Sequence, residues 1–244
     1  MRSVAVYSVK GGVGKSTIAT HLAWCAAAIS QRRTLLWDLD PQGSASFLLR
    51  GTPDERQRAQ SVFARSIEPK ALICHTGQSG LDLLPADKSL RQLSSFFAKL
   101  DRRRRLAKIA ATLAIDYDRI IFDCPPVMNE VSDQAIRAAD VILIPLTPSP
   151  LAWRALDEIR DELARNHKGH GAILPVLSMV DRRRTLHRAA CADHPDWPVI
   201  PMSSQVEQAA VRREPLGQFG PNSPATEPYA TLWRSVERKL VAMQ

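Results

Sequence analysis

Apolar residues fall along this chain in short unbroken runs that alternate with stretches of helical spacing. Val4 to Val9 is a run rich in β-branched residues that stops at Lys10-Gly11-Gly12. Ile18, Leu22, Cys25 and Ile29 then recur at helical spacing, which predicts a helix from Ser16 to about Ser30. Runs of the first kind return at Thr34-Leu35-Leu36-Trp37, Arg119-Ile120-Ile121-Phe122, Val141-Ile142-Leu143-Ile144 and from Ile173 to Met179, with a shorter one at Pro198-Val199-Ile200. Runs without polar alternation suit strands covered on both faces, as in a parallel sheet. Helical patterns over 132–139, 152–165, 185–192, 206–213 and 228–243 separate them. The alternation predicts an α/β fold, a doubly wound, mostly parallel sheet with helices on both faces.

Residues 51–118 fit this scheme less well. The polar stretch 52–66 reads as a mobile helix, 72–84 as two short strands around the glycines at 77–80, and 90–113 as a long basic helix. The segment 215–228 holds four prolines and two glycines and reads as a long loop before the last helix. No internal repeat is present, and no linker is rich enough in Pro, Gly or Ser to separate domains. One domain spanning 1–244 is expected, and 45% hydrophobic residues suffice for its core.

The formal net charge is +8, which points to a polyanionic partner without saying which. The four cysteines form no Cys-x-x-Cys, which argues against zinc, iron–sulfur and thioredoxin-like sites and for reduced, mostly buried thiols. The first residues lack the long apolar region and cleavage site of a signal peptide. No run approaches the length needed to span a bilayer. A soluble protein of the cytoplasm is expected.

Lys10-Gly11-Gly12-Val13-Gly14-Lys15-Ser16-Thr17 lies between a predicted strand and a predicted helix, the setting a phosphate-binding loop requires. Its glycines let backbone N–H groups turn inward around phosphate oxygens, and the helix N-terminus adds its positive dipole end. Lys15 would neutralise the β- and γ-phosphates, Ser16 would offer its hydroxyl to Mg²⁺, and Thr17 would sit near the α-phosphate. The common pattern G-x-x-x-x-G-K-[ST] would place glycine at position 9, where this chain has Val9; here a lysine, Lys10, leads the loop instead. The loop resembles the deviant Walker A motif of the ParA/MinD family of P-loop ATPases. The resemblance makes Lys10 the signature lysine that reaches across a dimer interface to the partner's nucleotide, so that ATP stabilises a homodimer.

Two of the apolar runs end in acids, where doubly wound sheets place their ligands. The first is Trp37-Asp38-Leu39-Asp40-Pro41-Gln42-Gly43, and its two acids, two residues apart, project to the same side. The second is Ile120-Ile121-Phe122-Asp123-Cys124-Pro125-Pro126, in which Asp123 has the apolar lead-in of a Walker B acid. A phosphoryl-transfer ATPase needs Mg²⁺ held near the phosphates and a carboxylate to orient the attacking water. Asp-Leu-Asp-Pro-Gln-Gly resembles the ParA branch, and by that resemblance Asp40 positions the water while Asp38 supports Mg²⁺ or its waters. Any one of these acids alone would equally serve as a strand-end cap. Cys124 has no histidine pattern to activate it and is read as a packed thiol.

The resemblance covers almost the whole chain except 51–118. Ala139 to Pro145 matches the family's next strand, Ser178 to Arg183 a strand end near the adenine, and Val199 to Ala209 the segment that closes over the base. It implies that Met179, Asp181, Pro201 and Met202 contact the base, although strand-end packing and turn formation explain them equally well. The chain begins at its first strand, so the helix-turn-helix arm of longer plasmid relatives is not expected.

Basic residues cluster at Arg102 to Arg105 with Arg91, Lys99 and Lys108, at Arg182, Arg183 and Arg184 with Arg188, and at Arg212 and Arg213. Family members bind DNA without sequence preference when dimerised by ATP, which phosphate contacts alone can supply. By resemblance, Arg182, Arg183, Arg184, Arg212 and Arg213 are the DNA-contact set, with Arg183 or Arg184 able to face the nucleotide instead. For 102–105 a solvated helix face serves as well as DNA contact. The stripe Tyr229, Leu232, Trp233, Val236, Leu240 and Val241 suits packing against the sheet, or membrane targeting of the kind MinD proteins have.

The resemblance thus implies a ParA-type ATPase with ATP and Mg²⁺ as cofactors. It would bind non-specific DNA, associate with the nucleoid, and answer to a ParB-like or cargo-adaptor protein that stimulates hydrolysis. No membrane association is expected. A MinD-like positioning ATPase and a P-loop synthetase of the dethiobiotin or cobyrinate kind are the alternatives.

Overall fold

The computed structural model describes residues 1–51, 58–64, 66–93, 104–167 and 169–243. Among them eight strands form one sheet in the order β3-β4-β2-β5-β1-β6-β7-β8. The strands are β1 (Arg2–Val6), β2 (Thr34–Asp38), β3 (Cys74–His75), β4 (Leu81–Leu84), β5 (Arg119–Asp123), β6 (Val141–Leu146), β7 (Ala172–Val180) and β8 (Val199–Pro201). All described pairings are parallel except that of β3 with β4, the two short strands expected around the glycine turn.

The helices are α1 (Lys15–Ala28), α2 (Ser44–Leu48), α3 (Ala59–Ala64), α4 (Arg105–Thr112), α5 (Glu130–Ala138), α6 (Pro150–Asn166), α7 (Thr185–Asp193), α8 (Ser204–Arg212), α9 (Leu216–Phe219) and α10 (Glu227–Ala242). They build two cores, because alternate residues of each central strand leave the sheet on opposite faces. Ala5, Trp37, Phe122 and Ile144 face a core shared with α3, α4, α5 and α6. Val4, Leu36, Ile121 and Leu143 face the other, shared with α1 and α10. Double coverage is the reason these strands read as unbroken apolar runs.

α1 is buried on nearly every side, between the sheet and α10. On α10 Tyr229, Leu232, Trp233, Val236 and Leu240 are buried, and the Trp233 indole N–H donates to Ser30 Oγ at 2.8 Å. The stripe therefore packs on the sheet and leaves Val241 as its exposed member. No helix among the described residues is long and apolar enough to cross a membrane.

Three local expectations change. The segment 215–228 is not all loop: α9 docks there on α1, so closely that a Cβ on Gly217 would lie 2.2 Å from the Trp24 ring. Within 52–66 the described helix is α3, whose Ala59, Val62 and Phe63 are buried. Residues 52–57 and 94–103, which carry much of the expected polar and basic helices and Lys99, Arg102 and Arg103, lie outside the described residues. Arg105 is buried, and its guanidinium donates twice to the Phe63 carbonyl, at 3.0 and 2.8 Å. It ties α4 to α3 and is not part of a solvated basic face.

Candidate nucleotide site

The loop between β1 and α1 leaves the sheet where β1 lies between β5 and β6. Gly12 and Gly14 have φ of 72° and 86°, left-handed values that side-chain-bearing residues rarely adopt. The turn they allow aims the first N–H groups of α1 into a cavity of about 690 Å³, within the range of small-molecule sites. Gly11, Gly12, Gly14, Lys15, Ser16 and Thr17 line it, together with Asp40, Met179, Pro201 and Met202. Val13 is buried and serves the core, and half-buried Lys10 stands at the front of the loop.

Lys15 is 7% exposed and its Nζ reaches the Lys10 carbonyl at a long 3.4 Å. Burial lowers its pKa, while Asp123 and Asp40 pull the other way. Asp123 is wholly buried, and neither of its carboxylate oxygens has a well-formed hydrogen bond. Burial first, and the nearby Asp38 second, raise its pKa well above the usual carboxylate range, and the Ser16 hydroxyl opposes them. A buried, unsatisfied carboxylate is costly unless a cation or a water shell completes it. Asp123 beside Ser16 therefore fits Mg²⁺, which binds one or two protein oxygens and completes its shell with waters and phosphate.

Asp38 and Asp123 are register partners on adjacent strands. Asp38 is differently placed, because both its oxygens are already engaged. Oδ1 accepts the Asp40 N–H at 3.1 Å, and Oδ2 accepts the Ser46 N–H at 2.8 Å and the Ser46 hydroxyl at 2.7 Å. Burial raises its pKa to about 6 against these hydrogen bonds. Asp38 thus anchors α2 and the turn that carries Asp40. Asp40 lies beyond the end of β2, accepts the Gln42 N–H at 3.0 Å and lines the cavity.

Met179 has a left-handed φ of 56° and lines the cavity with Pro201 and Met202. Asp181 does not line it. Its carboxylate is bridged by Arg183 at 2.9 Å through both Nε and Nη2, and that pairing holds its pKa near 2. Ser46, Phe47 and Leu48 of α2 and Ala210 of α8 were not anticipated, whereas Val206 and Glu207 lie within the 199–209 segment expected over the base. Phe47, Leu48, Val206, Glu207 and Ala210 line the cavity, and Ser46 braces Asp38. No local sequence signal marks Ser46, because the N-cap of α2 is Gly43 and Ser46 lies three residues beyond it.

The arginines expected to meet DNA fall into two groups. Arg182, Arg184 and Arg212 are exposed, and Arg212 lies 4.7 Å from the Phe219 ring centroid. Arg183 is held by Asp181, and Arg213 by the Phe47 carbonyl at 2.9 Å.

A glycine-rich loop between β1 and α1 at the centre of a parallel sheet, with a buried acid on the neighbouring strand, defines a P-loop nucleotide-binding protein. The family model AAA_31, an AAA domain, matches residues 1–171. The chromosome partitioning protein ParA of Caulobacter vibrioides is 30% identical over 254 aligned positions, covering 97% of this chain and 94% of that protein. The chain belongs to this family and, within it, to the ParA/MinD group of P-loop ATPases, on the ParA/Soj-like partitioning side. Among solved structures, the ATP complex of a Cyanothece McdA variant superposes with a TM-score of 0.82 at 22% identity, covering 97% of this chain and 96% of that one. Cobyrinic acid a,c-diamide synthase of Mycobacterium smegmatis, with bound ADP and magnesium, gives 0.81 at 26% identity, covering 100% and 97%.

Proposed function

We propose that this chain is an ATP-driven switch that partitions or positions DNA or another large cargo. The observation that carries the reading is the orphaned Asp123 carboxylate beneath Ser16, in a phosphate loop led by Lys10. Gly11 to Thr17 would wrap the phosphates of ATP, with Lys15 on the β- and γ-phosphates. Ser16 would hold Mg²⁺ directly and Asp123 through its waters. Asp40 would orient the attacking water, held in place by Asp38. Lys10 would cross to the nucleotide of a second copy, so that ATP closes a homodimer. Met179, Pro201 and Met202 would meet the base, and Asp181 would instead steady the Arg182 to Arg184 turn.

The closed dimer would bind DNA through phosphate contacts from Arg182, Arg184 and Arg212, consistent with the +8 charge. Slow hydrolysis would release it, and a ParB-like or cargo-adaptor protein would speed that step. Such a protein would work in the cytoplasm, on the nucleoid. A membrane-bound role is disfavoured because the apolar stripe of α10 is committed to the core.

A second reading has one observation behind it, the 26% identity to the cobyrinic acid a,c-diamide synthase. DNA binding measured with ATP, with ADP and without nucleotide, at two salt concentrations and with Lys10→Ala, separates the two. Salt-sensitive binding that needs ATP and vanishes in the variant supports the switch. Nucleotide binding without DNA binding at either salt favours the synthetase.

A further inference from the structure

On the sheet face that carries Trp37 and Phe122, the covering layer divides by charge. Its α6 part is balanced: Arg154 pairs with Glu158 at 2.9 Å, Arg160 with Asp157 at 3.9 Å and Arg165 with Glu162 at 3.9 Å. Another part is built from α3, the 3₁₀ turn Lys88–Gln92 and α4. These three elements bury Phe63, Leu90 and Leu106 in the core on that face, so their exposed side chains point away from the sheet together. They are also tied to one another. Asp87 accepts the Ala59 N–H at 2.6 Å and the Ser89 N–H at 2.7 Å, and Arg105 joins α4 to the Phe63 carbonyl. Arg58, Lys88, Arg91, Arg104 and Lys108 stand outward from this unit. All five are exposed, and none has an ion pair or side-chain hydrogen bond among the described residues.

Five cations without counter-charges repel one another, a cost that a bound polyanion removes. The acids close by do not cancel them: Asp87 is spent on capping, and Glu68 is the exposed acid on the connection after α3. The adjoining stretches 52–57 and 94–103 carry four cations and three acids, so they do not reverse the sign. No large apolar side chain of α3, the turn or α4 is exposed. A protein partner would need such an apolar centre, and single-stranded nucleic acid would need aromatic rings to stack on. Duplex phosphates need neither. We infer that the outer face of α3, the 88–92 turn and α4 is a docking surface for duplex DNA, held through its phosphates without reading sequence. It is separate from Arg182 and Arg184, which follow β7 near the other edge of the sheet from β4, and from Arg212 at the end of α8. The surface is complete within one copy, so a closed dimer presents it twice and gains by avidity.

This inference rests on the DNA-binding reading of the chain, and the test keeps the two apart. The anisotropy of a labelled random-sequence duplex would be measured with ATP and Mg²⁺ across a salt series. The triple variant Arg58→Ala, Lys88→Ala, Lys108→Ala removes one cation from each element. It should bind about 100-fold more weakly at about 0.1 M salt, with a salt slope flatter by about 3 for each surface engaged. The double variant Lys88→Arg, Lys108→Arg keeps the charge and should stay within about two-fold of the wild type. Both should melt with the wild type, since the altered side chains are exposed and unpaired, and both should bind a fluorescent ADP analogue as the wild type does. Should the triple variant melt early, Lys108→Ala alone decides, with a slope expected to flatten by about 1 per surface. Wild-type affinity and slope in the alanine variants would overturn the surface and leave its cations to an acidic protein. So would an equal loss in the double arginine variant, or weaker binding at unchanged slope, because neither reports a phosphate contact. A wild type that binds no duplex even at the lowest salt would remove the DNA reading, and this surface with it.

Discussion

The Ser46 hydroxyl donates to Asp38 Oδ2 at 2.7 Å and accepts the Ala86 N–H at 3.0 Å, so one small side chain satisfies two buried groups. Ser46→Ala leaves the Ala86 N–H without an acceptor and removes a charge-assisted bond from a buried carboxylate. The expected cost is about 2–3 kcal/mol of folding stability, read as a lower urea midpoint with an unchanged slope. An unchanged midpoint would mean that Asp38 is held by its backbone contacts alone.

Lys15 presents the opposite case, a charge whose burial the fold does not repay. Its pKa is lowered by desolvation and its one described hydrogen bond is the long contact to Lys10. Lys15→Met should therefore leave the melting temperature unchanged or slightly raised, since it removes a buried ammonium. Nucleotide affinity should fall about 100-fold, the loss of roughly 3 kcal/mol of phosphate contact. Calorimetric titration with ATP and a thermal melt on the same sample check both halves. A large drop in melting temperature would show that Lys15 is structural.

Sequence made some of this site legible and hid the rest for identifiable reasons. Thr34 to Asp38 and Arg119 to Asp123 stand out because strands buried on both faces tolerate no polar interruption until the acid at their end. The phosphate loop stands out because its glycines are local requirements of the turn. Ser46 and Phe47 do not, because their roles exist only once α2 folds back over β2. Arg105 is misread for a related reason: within a run of four arginines nothing local shows that its guanidinium turns inward to the Phe63 carbonyl. The docking of α9 is equally hidden, since Gly217 is required by Trp24, a residue far away in the chain.

His21 gives the fold a pH dependence of known sign. Buried on α1 and stacked on Tyr229 at 4.4 Å between ring centroids, it has Nδ1 2.7 Å from the Thr17 carbonyl, and its Nε2 accepts the Leu216 N–H at 3.1 Å. These partners require the neutral tautomer protonated on Nδ1, and burial lowers the pKa to about 4. The unfolded chain, with a pKa near 6.5, binds the proton first as pH falls. Stability from His21 is full above about pH 6.5 and is lost between about 6.5 and 4; from pH 7 to 5 the loss is about 2 kcal/mol. His21→Phe, unable to titrate, should flatten that stretch of a stability-versus-pH curve while lowering it overall. A curve of unchanged slope in the variant would assign the acid sensitivity elsewhere.

Glu237 decides how firmly the last helix is held. Its carboxylate takes Arg119 bidentately, Nε on Oε2 at 2.8 Å and Nη2 on Oε1 at 2.6 Å, and Arg32 Nε on Oε1 at 2.9 Å. Burial alone would raise the Glu237 pKa, yet the two arginines keep it lowered. Arg119 at the start of β5 is only 2% exposed, so removing its partner strands a guanidinium in the interior. Glu237→Ala should cost about 3 kcal/mol, and Glu237→Gln less, because the amide oxygen still accepts one bond. Denaturant midpoints give the ranking, and faster backbone hydrogen exchange along α10 would locate the loss. If α10 loosened in Glu237→Ala and the variant then bound anionic vesicles while the wild type did not, Trp233 and its neighbours would be shown to be apolar enough for a membrane. The Arg119–Glu237 pair would then be what commits them to the core.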